Sequence, residues 1–302
     1  MENKKVAVIM STYNGERFIK EQLDSILNQT YKNIEIVVRD DGSKDETVNI
    51  VKEYMKKYPN IILHEGENLG FIKSFFQLLN LAEADYYAYA DQDDVWMENK
   101  IELAVNSLNK LDDSKPNMAF GNSDYYDENM KFIGSGPKNK KVSFLKALFS
   151  CCGQGMTMTV NKKTRDMIID NTPKTCFFHD WWTYLVCVGL GNVAYDNVTT
   201  VKYRRRKENA TSEGQGYFRL LAWRIKHLLV GDGMKDIKQQ MVNFREYYYH
   251  QLSDENKKII KIFSEKDNSL GLVMKKFFYP KRFRENLLDD IMLRFIFLMG
   301  VL

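Results

Sequence analysis

The chain has 302 residues, 44% of them apolar, which is enough to bury a sizeable core and excludes a disordered protein. Its net charge of +4 hides an asymmetry: residues 1–200 carry 23 Lys and Arg against 28 Asp and Glu, whereas residues 201–302 carry 21 against 12. No helix-turn-helix, zinc-finger or RNA-binding signature accompanies the basic part, so an anionic membrane surface is the expected partner and nucleic acid is not.

Cys151, Cys152, Cys176 and Cys187 have neither CxxC spacing nor the density of a disulfide scaffold, which fits a reducing cytoplasm. The N-terminal MENKKVAVIMSTYNG holds an apolar run too short for an export signal, so a cytoplasmic location is expected.

In chain order, Val6–Met10 reads as a strand ending in Ser-Thr-Tyr-Asn-Gly, and Glu16–Leu27 has apolar residues at helical spacing. Ile34–Val38 is a second strand ending in Arg-Asp-Asp-Gly-Ser, followed by a helix over Lys44–Tyr58. A short strand at Ile61–Leu63, a helix over Gly70–Leu81 and a strand at Asp85–Ala90 follow, the last running into Asp91-Gln92-Asp93-Asp94 and a helix over Met97–Lys110. Such alternation predicts an α/β domain with right-handed crossovers and a mostly parallel sheet flanked by helices. From Met118 the pattern loosens into a strand-like MAFGNSDYYD, a basic glycine-rich loop, a helix over Val142–Ser150, a strand at Met156–Val160 and a helix around Thr164–Ile169. Beyond Tyr217 the chain reads as helices rich in Lys, Arg and aromatics. The expected division is therefore 1–216 and a helical region 217–302.

In open α/β sheets ligands bind beyond the carboxyl ends of the strands, so the loops after the first four strands should meet along one edge. No GxGxxG or GxxxxGK[ST] is present, so the usual backbone phosphate cradles are absent. Carboxylates stand there instead. Acids packed as Asp91, Asp93 and Asp94 repel one another unless a cation sits among them, and Mg²⁺ or Mn²⁺ favours one or two carboxylates together with phosphate oxygens. With Asp41 able to accept from a base N–H and Tyr13 offering a ring for stacking, the set describes a nucleoside diphosphate. The plainer reading of DQDD, first-turn acids capping the next helix, fits one Asp better than three.

The segments MSTYNGERFIKEQLDSILNQTYKNIEIVVRDDGSKDET, ENLGF, YAYADQDDVW and FHDWW resemble family 2 glycosyltransferases of the GT-A, Rossmann-like fold, over roughly residues 5–210. The subgroup is similar to bacterial rhamnosyltransferases that build cell-wall and capsular polysaccharides. The resemblance implies an inverting transferase that uses a nucleotide-sugar donor, dTDP-rhamnose or a UDP-hexose, and a divalent metal. It implies that Thr12, Tyr13, Asn14, Asp41, Gly70, Lys73, Asp91 and Gln92 border the nucleotide sugar, and that Asp93, with Asp91, ligates the metal. It also implies an acceptor glycan, in this subgroup polyprenyl-diphosphate-linked.

Inversion by direct displacement needs a base at the acceptor hydroxyl. In CFFHDWW the resemblance favours Asp180 over His179, with His179 and Trp181, together with Gly155 and Thr157 of GQGMTMTV, on the acceptor side. VKYRRRKEN resembles the family stretch YRxHxxN but has Arg206 where the histidine would be; Arg206 or Arg204 would then neutralise the departing diphosphate. Residues 274–302 alternate basic pairs with aromatics and end IMLRFIFLMGVL, too short to span a bilayer. An interfacial helix on the inner face of the membrane is expected, the other reading being packing on protein or on a second copy of the chain. Two further classes share these features: a non-catalytic sugar-nucleotide-binding component of a glycan assembly complex, and a sugar nucleotidyltransferase. The latter would carry a glycine-rich basic loop after its first strand, which STYNGERF lacks.

Overall fold

An uninterrupted apolar run such as Val6–Met10 has to be covered on both faces of its sheet. A computed structural model of the chain describes residues 3–138, 140–206, 233–265 and 269–299. The strands β1 (Val6–Thr12), β2 (Ile34–Asp40), β3 (Ile61–Glu65) and β4 (Tyr86–Asp91) alternate with the helices α1 (Ile19–Leu27), α2 (Thr47–Lys57) and α3 (Phe71–Leu81). Next come β5 (Val95–Trp96), α4 (Lys100–Leu108), β6 (Asn117–Tyr126), β7 (Phe132–Ser135), α5 (Phe144–Ala147), β8 (Met158–Asn161), α6 (Lys162–Asp170), α7 (His179–Leu190) and β9 (Asn192–Arg204). The described C-terminal helices are α8 (Gly233–Tyr248), α9 (Asp254–Ser264), α10 (Leu270–Phe277) and α11 (Leu287–Leu298). Lys207, the expected boundary at 216 and the part of the expected helical region up to residue 232 lie outside the described residues.

The sheet order is β3-β2-β1-β4-β8-β6-β9-β5, with β7 on β6. Its first four strands are mutually parallel, and β8 enters antiparallel to β4. One face packs Val8 and Met10 of β1 and Ile36 and Val38 of β2 against Leu23 and Ile26 of α1 and Ile101 and Val105 of α4. On the other, Phe75 of α3 lies 5.6 Å from the Tyr89 ring and Arg165 of α6 lies over Tyr87. The sheet is thus sealed, and polar side chains gather at its strand ends.

Lys100, at the start of α4, is only 2% exposed, and its Nζ sits 3.6 Å from the centre of the Trp96 ring with no hydrogen-bond partner among the described residues. Burial pushes its ammonium down to about 7, below the ordinary lysine value. The unfolded chain therefore binds the extra proton above pH 7, and folding stability rises with pH from about 7 toward the unfolded pKa of ~10.4. Lys100→Met should raise stability at pH 7 and flatten part of that rise, as read from urea midpoints across the pH series.

The described residues group into two compact units, one made of Met1–Lys140, Gly153–Thr172 and Asn192–Ala210, the other of Lys141–Cys152, Pro173–Gly191 and Thr211–Leu302. The first holds the sheet. In the second, Phe149 meets Phe263, Phe283 and Phe297 at 5.1 to 5.7 Å, and Trp182 and Phe144 pack on Phe244. Phe283 and Phe297, from the tail expected to bind lipid, are therefore core residues of this unit. The opposite side of α11 is apolar too: Leu287, Leu288, Ile291, Phe295 and Leu298 are exposed, while Leu293, Ile296 and Phe297 are buried. At 3.6 residues per turn the exposed set lines one stripe. On α10 and its C-cap, Leu270, Met274 and Phe278, four residues apart, are likewise exposed. No helix among the described residues is long and apolar enough to cross a membrane.

Candidate active site

The loop after β1 is tied to the loop after β2. Asp40, buried at the end of β2, accepts from Thr12 Oγ1 (2.8 Å), the Gly42 and Ser43 N–H groups and Ser43 Oγ. The Thr12 hydroxyl is thus directed inward. Asn14 takes a left-handed φ of 46°, its N–H donates to Ser43 Oγ and its Oδ1 accepts from the Lys44 N–H. Between these anchors the Tyr13 ring stands 43% exposed. Gln92, from the loop after β4, grips the Tyr13 backbone from both sides: the Tyr13 N–H donates to Oε1 (2.9 Å) and Nε2 donates to Tyr13 O (3.0 Å). Gly15 makes room for this clamp, since a Cβ there would lie 2.3 Å from Gln92 Oε1. Gly15→Ala should displace the amide and cost about 1–2 kcal/mol, two ordinary hydrogen bonds, and much less in a Gln92→Ala background; urea denaturation of the four proteins checks this.

Asp41 joins the second strand end to the third. It is 2% exposed; its carboxylate accepts from the Leu69 and Gly70 N–H groups, both at 2.8 Å, and pairs with Arg39 Nη1 at 2.5 Å. Arg39 also reaches Gln77 Oε1, Ser74 Oγ and Glu67 O. Gly70 has a φ of 80° with nothing within 4 Å of where a Cβ would stand, a conformation that favours glycine and leaves the entrance to α3 open. Lys73 is exposed one turn into α3. Arg39 was not among the expected site residues; its signal is a lone cation directly after the β-branched stretch IEIVV.

The acidic loop closes the edge. Asp91 is half-buried, and Asp93 and Asp94 are buried. Burial, then the neighbouring charges of Asp93 and Asp91, push the Asp94 carboxyl well above the usual range, and its Oδ1 accepts the Arg204 N–H at 3.0 Å. The acids meet arginines because β5, directly after the loop, pairs antiparallel with the end of β9. Arg204 is only 1% exposed; its guanidinium donates to Asp93 O, Glu128 O and Glu21 Oε2 and is spent holding the loop in place. Arg206 Nη2 pairs with Asp93 Oδ2 at 2.6 Å. Arg17, Arg204 and Arg206 all lie within 5.4 Å of the centre of the Phe18 ring. Among the described residues no three His, Cys, Asp or Glu side chains gather so as to hold a metal. With a guanidinium on Asp93, the side chains as placed do not fit a divalent ion there.

Gly155 and Thr157 form a single 3₁₀ turn before β8; Thr157 is buried and its hydroxyl donates to Gln154 O at 2.8 Å. His179 and Asp180 open α7, in the second unit. His179 is buried, and burial pushes its imidazole down to about 3, so it is neutral. Asp180 is half-buried, its Oδ1 accepting the Trp181 N–H at 2.7 Å. Trp181, expected on the acceptor side, is 5% exposed with its indole N–H donating to Ala147 O, and Trp182 is fully buried. Both rings belong to the packing of this unit because an apolar helix start needs cover on every side.

The model of "Glycosyl transferase family 2" matches residues 7–169. The chain is 32% identical over 219 residues to the dTDP-rhamnosyl transferase RfbG of Shigella flexneri, covering 66% of this chain and 72% of that one. It is 38% identical over 125 residues to glycosyltransferase GlyA of Streptococcus pneumoniae, covering 41% of this chain but 17% of GlyA. Among solved structures, TarS 1-349 of S. aureus in complex with UDP-GlcNAc superposes with a TM-score of 0.56 at 16% identity, covering 89% of this chain and 81% of TarS. The mannosyltransferase PcManGT from Pyrobaculum calidifontis, in complex with GDP-Man and Mn²⁺, superposes with a TM-score of 0.55 at 16% identity, covering 99% and 86%. At these identities the likeness is one of fold.

Proposed function

The chain belongs to glycosyltransferase family 2, and we propose that it moves a sugar, with inversion, from a nucleotide-diphosphate donor to a hydroxyl of a growing, lipid-linked cell-surface glycan. One observation supports this most: the first four strand ends are tied into a single polar edge through Thr12–Asp40, Tyr13–Gln92 and Asp41–Gly70. In this reading Tyr13 stacks on the base, and Asp41, held by Arg39 and two backbone N–H groups, accepts from the base N–H. Asn14, Gly70 and Lys73 border the base and ribose, Asp91 and Gln92 meet the ribose, and Arg206 faces the diphosphate. Arg204 positions the acidic loop from behind.

Asp180 takes the acceptor proton while the acceptor oxygen attacks the anomeric carbon opposite the leaving diphosphate. Gly155 and Thr157 line the acceptor side. RfbG favours dTDP-rhamnose as donor, with a UDP-hexose as the other choice, in the assembly of capsule or cell-wall polysaccharide. The Mg²⁺ or Mn²⁺ expected from the acidic loop is left out of this scheme because Arg206 holds Asp93. Incubating the protein with dTDP-rhamnose, UDP-glucose, UDP-galactose or UDP-GlcNAc and a lipid-linked acceptor should release nucleoside diphosphate from one donor. Pyrophosphate release would instead identify a nucleotidyltransferase, and donor binding without turnover a non-catalytic component.

The same proposal places the enzyme on the inner face of the cell membrane, with the exposed stripes of α10 and α11 in the lipid interface. Lys275, Lys281 and Arg282 flank those stripes and are exposed, and each cation near an anionic surface adds about 1 kcal/mol. Ile291→Glu with Phe295→Glu should abolish co-sedimentation with phosphatidylglycerol vesicles and leave the fold intact, since both side chains are exposed. Unchanged binding would reject the membrane reading; a dimer dispersed by the same pair would assign the face to a second copy of the chain.

A further inference from the structure

We propose that Arg206 is the built-in cation of the acidic loop: it occupies the Asp93 carboxylate in place of a divalent metal, weakens metal binding there, and supplies positive charge to the donor's diphosphate. This rests on the reading of the strand-end edge as a nucleoside-diphosphate site. Asp91, Asp93 and Asp94 crowd three acids into four positions, a cluster that needs a counter-charge. Two arginines from the end of β9 supply it. Arg204 gives its backbone N–H to Asp94 and its side chain to Asp93 O, and Arg206 closes on the Asp93 carboxylate itself.

The pair is well shielded, with 8% of the Asp93 side chain and 23% of that of Arg206 exposed. Arg206 also extends from a fixed base: the Arg205 N–H donates to Tyr126 O at 2.7 Å, so the backbone just before it is pinned to β6. Its guanidinium lies 5.4 Å from the centre of the Phe18 ring, within reach of a cation–π attraction. An ion entering at Asp93 must first displace this guanidinium and strand it in a partly desolvated place. Such a swap is costly. A histidine at this position would behave differently, because a neutral imidazole can join a metal's ligands whereas a guanidinium never loses its proton. A guanidinium has five donors, so one can hold a carboxylate and a phosphate oxygen at once.

The test is Mn²⁺ binding to the full chain, followed by electron paramagnetic resonance, for the wild type, Arg206→Ala and Arg206→His, with and without UDP or dTDP. Both variants are expected to bind Mn²⁺ at least tenfold more tightly than the wild type, and adding Asp93→Ala to either should remove the gain. In EDTA, Arg206→Ala should weaken binding of UDP or dTDP at least tenfold, measured by calorimetry. Equal or weaker Mn²⁺ binding by both variants would overturn the proposal, as would nucleotide affinity in EDTA that does not depend on residue 206. Should Arg206→Ala lose its cooperative thermal transition, Arg206→Gln, of closer shape, carries the same two measurements. If neither nucleotide binds any of the proteins, the nucleoside-diphosphate reading itself fails, and the Mn²⁺ comparison without nucleotide still decides whether Arg206 guards Asp93.

Discussion

Asp180→Asn is expected to lower kcat about a thousandfold while leaving nucleotide affinity within about twofold. A positioned base contributes roughly 10²–10⁴ to a transfer whose nucleophile must lose a proton. Asparagine keeps the shape of the side chain and its bond to the Trp181 N–H but cannot take that proton. The competing role for Asp180 is to place a negative charge in the first turn of α7, where it meets the positive end of the helix dipole. That role predicts a different result: a stability loss of about 0.3–1 kcal/mol with turnover barely altered. Steady-state kinetics together with urea denaturation of the variant separate the two. His179 cannot take over, because it is buried and its imidazole would accept a proton only near pH 3.

The second large effect is expected at Asp41. Asp41→Ala leaves the Arg39 guanidinium, itself 4% exposed, without its carboxylate and removes the acceptor of the Leu69 and Gly70 N–H groups. Breaking a buried pair by deleting one partner costs about 3–5 kcal/mol, because the remaining charge stays desolvated. Urea denaturation should show a loss of that size, and Arg39→Met in the same chain should restore part of it. The loop entering α3 would lose its tether, so nucleotide binding should weaken even under conditions where the variant is folded. A stability loss below 1 kcal/mol would mean that water reaches Arg39 freely and that the pair is not a structural joint.

The parallel half of the sheet was legible because burial on both faces leaves a plain mark: a continuous apolar run such as VAVIM and the β-branched IEIVV, with helical spacing between them. The helix predicted over Gly70–Leu81 is α3, Phe71–Leu81, with Gly70 at its N-cap. Helix starts were expected too early, at Glu16 and Lys44 rather than Ile19 and Thr47, because the intervening polar residues serve the loops. Strand β9 was the larger omission: NVAYDNVTTVKYR mixes exposed and buried positions without alternation, so it lacks the period-two mark. With β9 unseen, the sequence could not show that β5 would carry the acidic loop to the arginines.

At the site, residue types were readable but their commitments were not. Asp40 and Asp41 stand side by side in sequence, yet one ties β1 to its own loop and the other ties the second strand end to the third. Arg204 and Arg206 are two residues apart, yet the first sends its guanidinium to the carbonyl oxygens of Asp93 and Glu128 and to Glu21, and the second sends its own to the Asp93 carboxylate. Which of two neighbours points inward depends on partners far along the chain. Trp181 illustrates the same limit, since an aromatic residue beside an acid suits a sugar platform and a packed helix start equally well.

The join between β5 and β9 has a bearing on how the protein is made. Arg204 meets Asp93 across 111 residues and Glu21 across 183, so the acids leave the ribosome long before the cations that steady them. A nascent chain that stops short of β9 carries its row of aspartates uncompensated, and loop closure over such spans is slow. The acidic loop is therefore among the last parts of the first unit to set, and truncations ahead of residue 204 leave it without its arginines however well β1 to β4 have formed.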